Sequence, residues 1–183
     1  MRLDPAVVRR YLHDAAAGTT TDAQGKAYEA LAVYLFECIP GCLAERDIIS
    51  FFGAEQIDVG VGNPRLPEGL ALLPTALIIE CKDWARPVDS KTVGYFINIL
   101  ANRSVEAGIL IAANGITGDP EELSRAHALG ISAVARGIKV LIMTTAEIES
   151  LACTADLTEL VNRRYLRAIM SGGLGIPAPS HRS

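Results

Sequence analysis

Thr75-Ala76-Leu77-Ile78-Ile79-Glu80-Cys81-Lys82 is a run of apolar residues that ends on two charges one residue apart. A strand that is apolar on both faces belongs in the middle of a sheet with helices packed on each side. Period two puts Glu80 and Lys82 on one face, after Ile78. Burial of an unpaired charge is costly, so the two must be neutralised by each other, by water at the sheet edge, or by a metal ion. A bare Glu-x-Lys is also common by chance and reads equally as a simple ion pair where a strand runs out into solvent. The rest of the chain has to decide.

Working outward, residues 47–52 and 57–61 are rich in β-formers, with Gly53-Ala54-Glu55-Gln56 between them as a hairpin turn. Residues 63–74 carry Pro64, Pro67, Gly69 and Pro74 and form an excursion before the central strand. Further upstream, Asp4-Pro5 opens a helix over residues 4–17 with Val7, Val8 and Tyr11 on one side. A second helix runs from a Thr21 or Asp22 cap to about residue 38, with Tyr28, Leu31, Ala32, Leu35 and Phe36 as its buried stripe.

Downstream, the pattern predicts a helix over 90–103, a wholly apolar strand over 107–113, a helix opened by Gly118-Asp119-Pro120 and ended by Gly137, and a strand over 138–143. Thr144 or Thr145 caps a short helical turn, and an amphipathic helix over 156–170 carries Arg163, Arg164 and Arg167. The order α, α, β, β, β, α, β, α, β, α, α describes a three-layer α/β/α sandwich around a mixed sheet. Residues 21–170 form its core domain, residues 1–20 an N-terminal helix packed on that core, and residues 171–183, with three glycines and two prolines, a flexible tail.

A chain of 183 residues makes one domain with enough length to bury a core. Its apolar stretches are strand-sized and no charged segment leads into an apolar one, so the expectation is a cytoplasmic protein with no membrane segment. Cys38, Cys42, Cys81 and Cys153 lack paired zinc-site spacing and read as reduced thiols. His127 and His181 have no evident partners. A formal charge of -4 argues against a protein that coats nucleic acid. Carboxylates that bind a divalent cation add negative charge that the cation neutralises, so the local distribution outweighs the sum.

Two further carboxylates interrupt apolar patterns. Asp58 breaks the strand Gln56-Ile57-Asp58-Val59-Gly60-Val61; if that strand pairs with the one carrying Glu80, both carboxylates come within reach of one cation. Two carboxylates, waters and a substrate phosphate are the usual oxygen shell of magnesium. The alternative is an exposed aspartate near a turn. Glu29 has Ala32, Val33 and Phe36 as helical neighbours and borders the buried stripe, although helix surfaces carry glutamates for no special reason.

With Gly25-Lys26-Ala27-Tyr28-Glu29 on a helix, Ile57-Asp58 on a hairpin and Ile78-Ile79-Glu80-Cys81-Lys82-Asp83-Trp84 on the central strand, the chain resembles the PD-(D/E)xK nuclease superfamily. Within it, the likeness is to the Mrr-like restriction endonucleases of type IV systems, over about residues 25–151. The resemblance implies a restriction-endonuclease-like fold and a metal-dependent endodeoxyribonuclease, in defence against foreign DNA, with Mg2+ as cofactor and Mn2+ as a substitute. It implies that Asp58, Glu80 and the Cys81 backbone carbonyl bind the metal. Lys82 would position and polarise the attacking water, and Glu29 would orient Lys82 or complete the metal shell. Lys26, Arg86 and Lys91 are candidates to contact DNA phosphates, and each reads equally as an ordinary solvated charge. Trp84 could stack on a base or pack its loop. The run before Asp58 is Glu55-Gln56-Ile57, without the glycine usual there.

A structure-specific nuclease such as a Holliday junction resolvase has the same signature, and a non-enzymatic nuclease-like module that binds nucleic acid or protein is a further alternative. Cutting both strands of a duplex with one site per chain calls for two copies, so a homodimer is expected, with the aliphatic residues 66–73 as one contact surface or as a segment folded back on the core. A partner protein for target recognition is a further expectation.

Overall fold

The computed structural model of the chain describes residues 2–49, 56–82, 86–117 and 119–176. Residues 53–55 of the expected hairpin turn, together with Asp83, Trp84, Gly118 and His181, lie outside them.

Asp4 caps helix α1 (Pro5–Ala17), accepting from Ala6 N–H, and Thr20 caps α2 (Thr21–Glu37), one residue before the expected cap. Strands β1 (Leu43–Ile49), β2 (Gln56–Gly62) and β3 (Ala76–Lys82) follow. Then come α3 (Ser90–Asn102), β4 (Ala107–Ala112), α4 (Pro120–Ala135), β5 (Lys139–Met143), α5 (Thr145–Glu149) and α6 (Thr154–Ser171). Gly137, with φ 84°, closes α4 where only a residue tolerant of the left-handed region fits well.

The sheet order is β1-β2-β3-β4-β5, antiparallel across the first three strands and parallel across the last three, which makes β3 the central strand. Leu77, Ile79, Ile109 and Leu141 face one apolar layer with α1, α2 and α6. Ile78, Leu110, Val140 and Ile142 face a second, with Phe96 and Leu100 of α3 and Ala126 and Ala133 of α4. A sheet with helices on both faces is the three-layer sandwich that its strand and helix order implies.

Three details differ from expectation. Strand β1 begins at Leu43, not at residue 47; it is an edge strand with most of its residues exposed, so burial imposes no apolar alternation on its sequence. The excursion over 63–74 folds back: Leu70 and Leu73 are fully buried, and only Leu72 among the leucines of this stretch is exposed. Its hub is buried Asn63, whose Nδ2 donates to the carbonyls of Leu70, Leu73 and Pro74 at 2.9, 3.3 and 3.0 Å. As a dimer surface it therefore offers little. The stretch expected to be a flexible tail begins by docking: Leu174 is buried, and Gly175 bonds to β5 through Gly175 N–H to Val140 O and Ile142 N–H to Gly175 O, both 2.9 Å.

Candidate active site

The antiparallel ladder between β2 and β3 runs from Gly62↔Ala76 to Val59↔Ile79 and stops there. The next opposed residues in that register are Asp58 and Glu80. In place of a ladder bond, the Cys81 N–H donates to Asp58 Oδ2 at 2.8 Å, so an aspartate side chain ties the two strands where their backbones part. On the other side of β2, Arg46↔Val59 and Ile48↔Ile57 leave Asp47 opposite Asp58, and Asp47 adopts φ 57°. Three acidic residues on three adjacent strands thus share one row across the sheet.

Glu80 is buried at 3% exposure, and its Oε1 lies 3.0 Å from Lys82 Nζ. Its Oε2 is buried without a hydrogen-bond partner among the described residues. Burial, then the Asp58 charge, push the Glu80 carboxyl up to about 7 against the opposing pull of Lys82. Burial likewise raises Asp58, with the Cys81 amide and Lys82 acting the other way. Lys82 moves up from the usual lysine value: burial disfavours its charge, but Glu80 and Asp58 outweigh burial. An ammonium held charged this firmly donates hydrogen bonds and counters negative charge; it is not poised to act as a base.

Glu29 comes from α2, buried at 8% exposure, and its Oε2 also lacks a partner among the described residues. Burial and then the charges of Asp58 and Asp47 raise its carboxyl, while Arg46 and Lys26 oppose. The structure thus brings the carboxylates of Glu29, Asp58 and Glu80 and the Lys82 ammonium into one electrostatic neighbourhood.

The three candidate phosphate contacts are exposed. Lys26 pairs with Asp22 at 2.8 Å one helical turn away, while Arg86 and Lys91 lie past β3 and on the first turn of α3. His127 is half-buried on α4.

Among the described residues, no group of three His, Cys, Asp or Glu side chains is poised to hold a metal ion. Two hard carboxylates plus a backbone carbonyl, with water and substrate oxygens filling the rest of the shell, still match the way magnesium is usually bound. Glu29 Oε2 and Glu80 Oε2, buried without a partner among the described residues, are acceptors that a cation or its bound water can use.

Asp47 is the site neighbour that sequence reasoning missed. Closing the hairpin at Gly53-Ala54-Glu55-Gln56 would pair residue 52 with residue 57. Among the described residues the ladder instead includes Ile49↔Gln56, a register that brings Asp47 opposite Asp58. No sequence signal specifies that shift, because β1 is too exposed for its pattern to fix a register.

A mixed five-stranded sheet with helices on both faces and an acid-lysine pair at the end of its central strand defines a restriction-endonuclease-like nuclease domain. The family model of the Mrr catalytic domain, described as a restriction endonuclease, matches residues 52–148. The chain belongs to that family. The matched segment holds Asp58, Glu80 and Lys82 but not Glu29. Comparison with curated proteins and with solved structures found no match.

Proposed function

We propose that this protein is an endonuclease that hydrolyses phosphodiester bonds in DNA with Mg2+, for which Mn2+ substitutes. The observation that carries the reading is the Glu80 carboxylate: one oxygen paired with Lys82, the other buried without a partner among the described residues, beside Asp58. Asp58, Glu80 and the Cys81 carbonyl would hold the cation. When bound, the cation supplies positive charge against the scissile phosphate and makes a bound water easier to deprotonate.

The chain's own residues do the rest. The Lys82 ammonium donates to the attacking water or to a phosphate oxygen and offsets the negative charge that builds as the P–O bond to the leaving oxygen breaks. Burial of Glu80 and Cys81 limits competing water on the strand side of the site. Glu29, on α2, would orient Lys82 or complete the metal shell through water. Lys26, Arg86 and Lys91 take flanking phosphates.

Defence against foreign DNA, a cytoplasmic setting, a homodimer for double-strand cutting and a partner for target recognition belong to the same reading. None of the described helices is long and apolar enough to cross a membrane. Incubating the protein with supercoiled plasmid, linear duplex, four-way junction and RNA, each with magnesium, manganese or chelator, tests it. Metal-dependent cutting of DNA is expected; preference for the junction would favour a resolvase, and no cutting of any substrate would overturn the enzyme reading.

A further inference from the structure

We propose that the groove between α1, α2 and β1 receives an unpaired base of the strand whose phosphate enters the carboxylate site, with Tyr11 as its stacking surface. This rests on the nuclease reading and names the form of substrate that the same site prefers.

The groove is an open cleft of about 750 Å3, room for a nucleotide lying along it. It approaches the site on the Glu29 side. Its α2 wall includes Ala30, next to Glu29, and Val33, one turn further along Glu29's own face of the helix. Its β1 wall includes Arg46, next to Asp47 and close enough for its charge to act on Glu29. A strand that presents a phosphate to Asp58 and Glu80 therefore has this groove as an adjacent path.

The lining suits a base. Val33 and Ala44 give an apolar floor continuous with the core. Tyr11 is half-buried, braced by the Tyr34 ring at 5.8 Å between centroids. The exposed Arg10 guanidinium lies 5.7 Å from the Tyr11 ring centroid, the place a stacked base would take, leaving the arginine free to turn to a phosphate. The rim is mixed: Arg10 and Arg46 donate, and Glu37 and Glu45 accept. A row of phosphates would meet repulsion from those carboxylates, whereas a base edge has both amino donors and ring acceptors. Stacking is also an attraction that a chain of formal charge -4 can use without a basic face. A base held in a duplex cannot enter, so the occupant is an unpaired nucleotide at an overhang, flap or gap.

The test compares dissociation constants of the full-length protein for a blunt duplex and the same duplex with a single-stranded overhang, with calcium replacing magnesium to keep the DNA uncut. The overhang should bind roughly 10-fold tighter, as expected for one stacked base. Tyr11→Leu should bring the ratio close to one, Tyr11→Phe should keep it, and thermal melts establish that both variants fold. A 2-aminopurine at the first unpaired position should lose fluorescence with the wild type and Tyr11→Phe but not with Tyr11→Leu. Equal binding of the two duplexes by the wild type, or an unchanged ratio in Tyr11→Leu, overturns the proposal while leaving the nuclease reading intact. Failure to bind or cut any nucleic acid overturns both.

Discussion

The Asp58 carboxylate accepts the backbone N–H of Cys81 at 2.8 Å, just past the last β2–β3 ladder pair, Val59↔Ile79. One side chain thereby joins the strands and points its charge at the same place. Asp58→Asn keeps an acceptor for that amide and loses the charge, so it should fold with near-wild-type stability and cut DNA at least roughly 100-fold more slowly. Asp58→Ala loses both and should also unfold more easily, by about 1–3 kcal/mol. Denaturant melts beside cleavage assays separate the two effects; an inactive Asn variant as unstable as the Ala variant would contradict the assignment.

Glu80 makes stability depend on pH in an unusual direction. Its carboxyl is pushed to about 7 in the folded chain, so between the ordinary carboxylate range and pH 7 the folded state keeps a proton that the unfolded state has released. Stability should therefore fall as pH rises through that window, by something on the order of 2–3 kcal/mol, and Glu29 and Asp58, also raised, act in the same sense. Metal-free protein should melt at a higher temperature at pH 5 than at pH 8. Glu80→Gln should flatten the profile and raise the pH 8 melting temperature while abolishing activity. A profile that rises between pH 5 and 8 would sink this account of the carboxylate.

Removing one partner of the Arg164–Glu147 pair should be costly. Arg164 is buried on α6, pairs with Glu147, and donates to Ile142 O at 3.2 Å and Ile176 O at 3.0 Å, tying α5, β5 and the docked segment after α6. Arg164→Leu should destabilise the protein by roughly 3 kcal/mol. Hydrogen exchange at the Gly175 amide should speed up far more than at the β3 amides. Equal acceleration at both places would mean that the pair does not hold the segment specifically.

Asp47 sits at φ 57° in an edge strand, a conformation that costs a side chain of the order of 1 kcal/mol and costs glycine almost nothing. Asp47→Gly also removes a like charge from beside Asp58 and Glu29. The variant should melt a few degrees higher. A lower melting temperature would show that the Asp47 side chain, whose Oδ1 accepts from Gln56 Nε2 at 3.1 Å, contributes more than its backbone costs.

What the sequence made legible follows from how strongly each position is constrained. β3 and β4 are buried on both faces, and a buried strand has to be written in apolar residues, so Glu80 and Lys82 stood out at once. Asp119-Pro120 and Gly137 mark the ends of α4 by local backbone chemistry and were readable for that reason. The β1 start and register were not, because an exposed edge strand carries no apolar pattern. The sequence places Arg164 on an amphipathic helix with Arg163 and Arg167 without saying which of them is buried; the burial of Arg164 depends on Glu147 and on the docked segment, contacts that no periodicity encodes.

Nicking of supercoiled plasmid by wild type and by Lys82→Met, side by side in magnesium and in chelator, tests the central claim most directly. The account predicts that the wild type converts plasmid to nicked and linear forms in magnesium only, and that Lys82→Met, folded by its melt, leaves the plasmid intact. Cutting that persists in chelator, or a Lys82→Met protein that nicks as fast as the wild type, would contradict it.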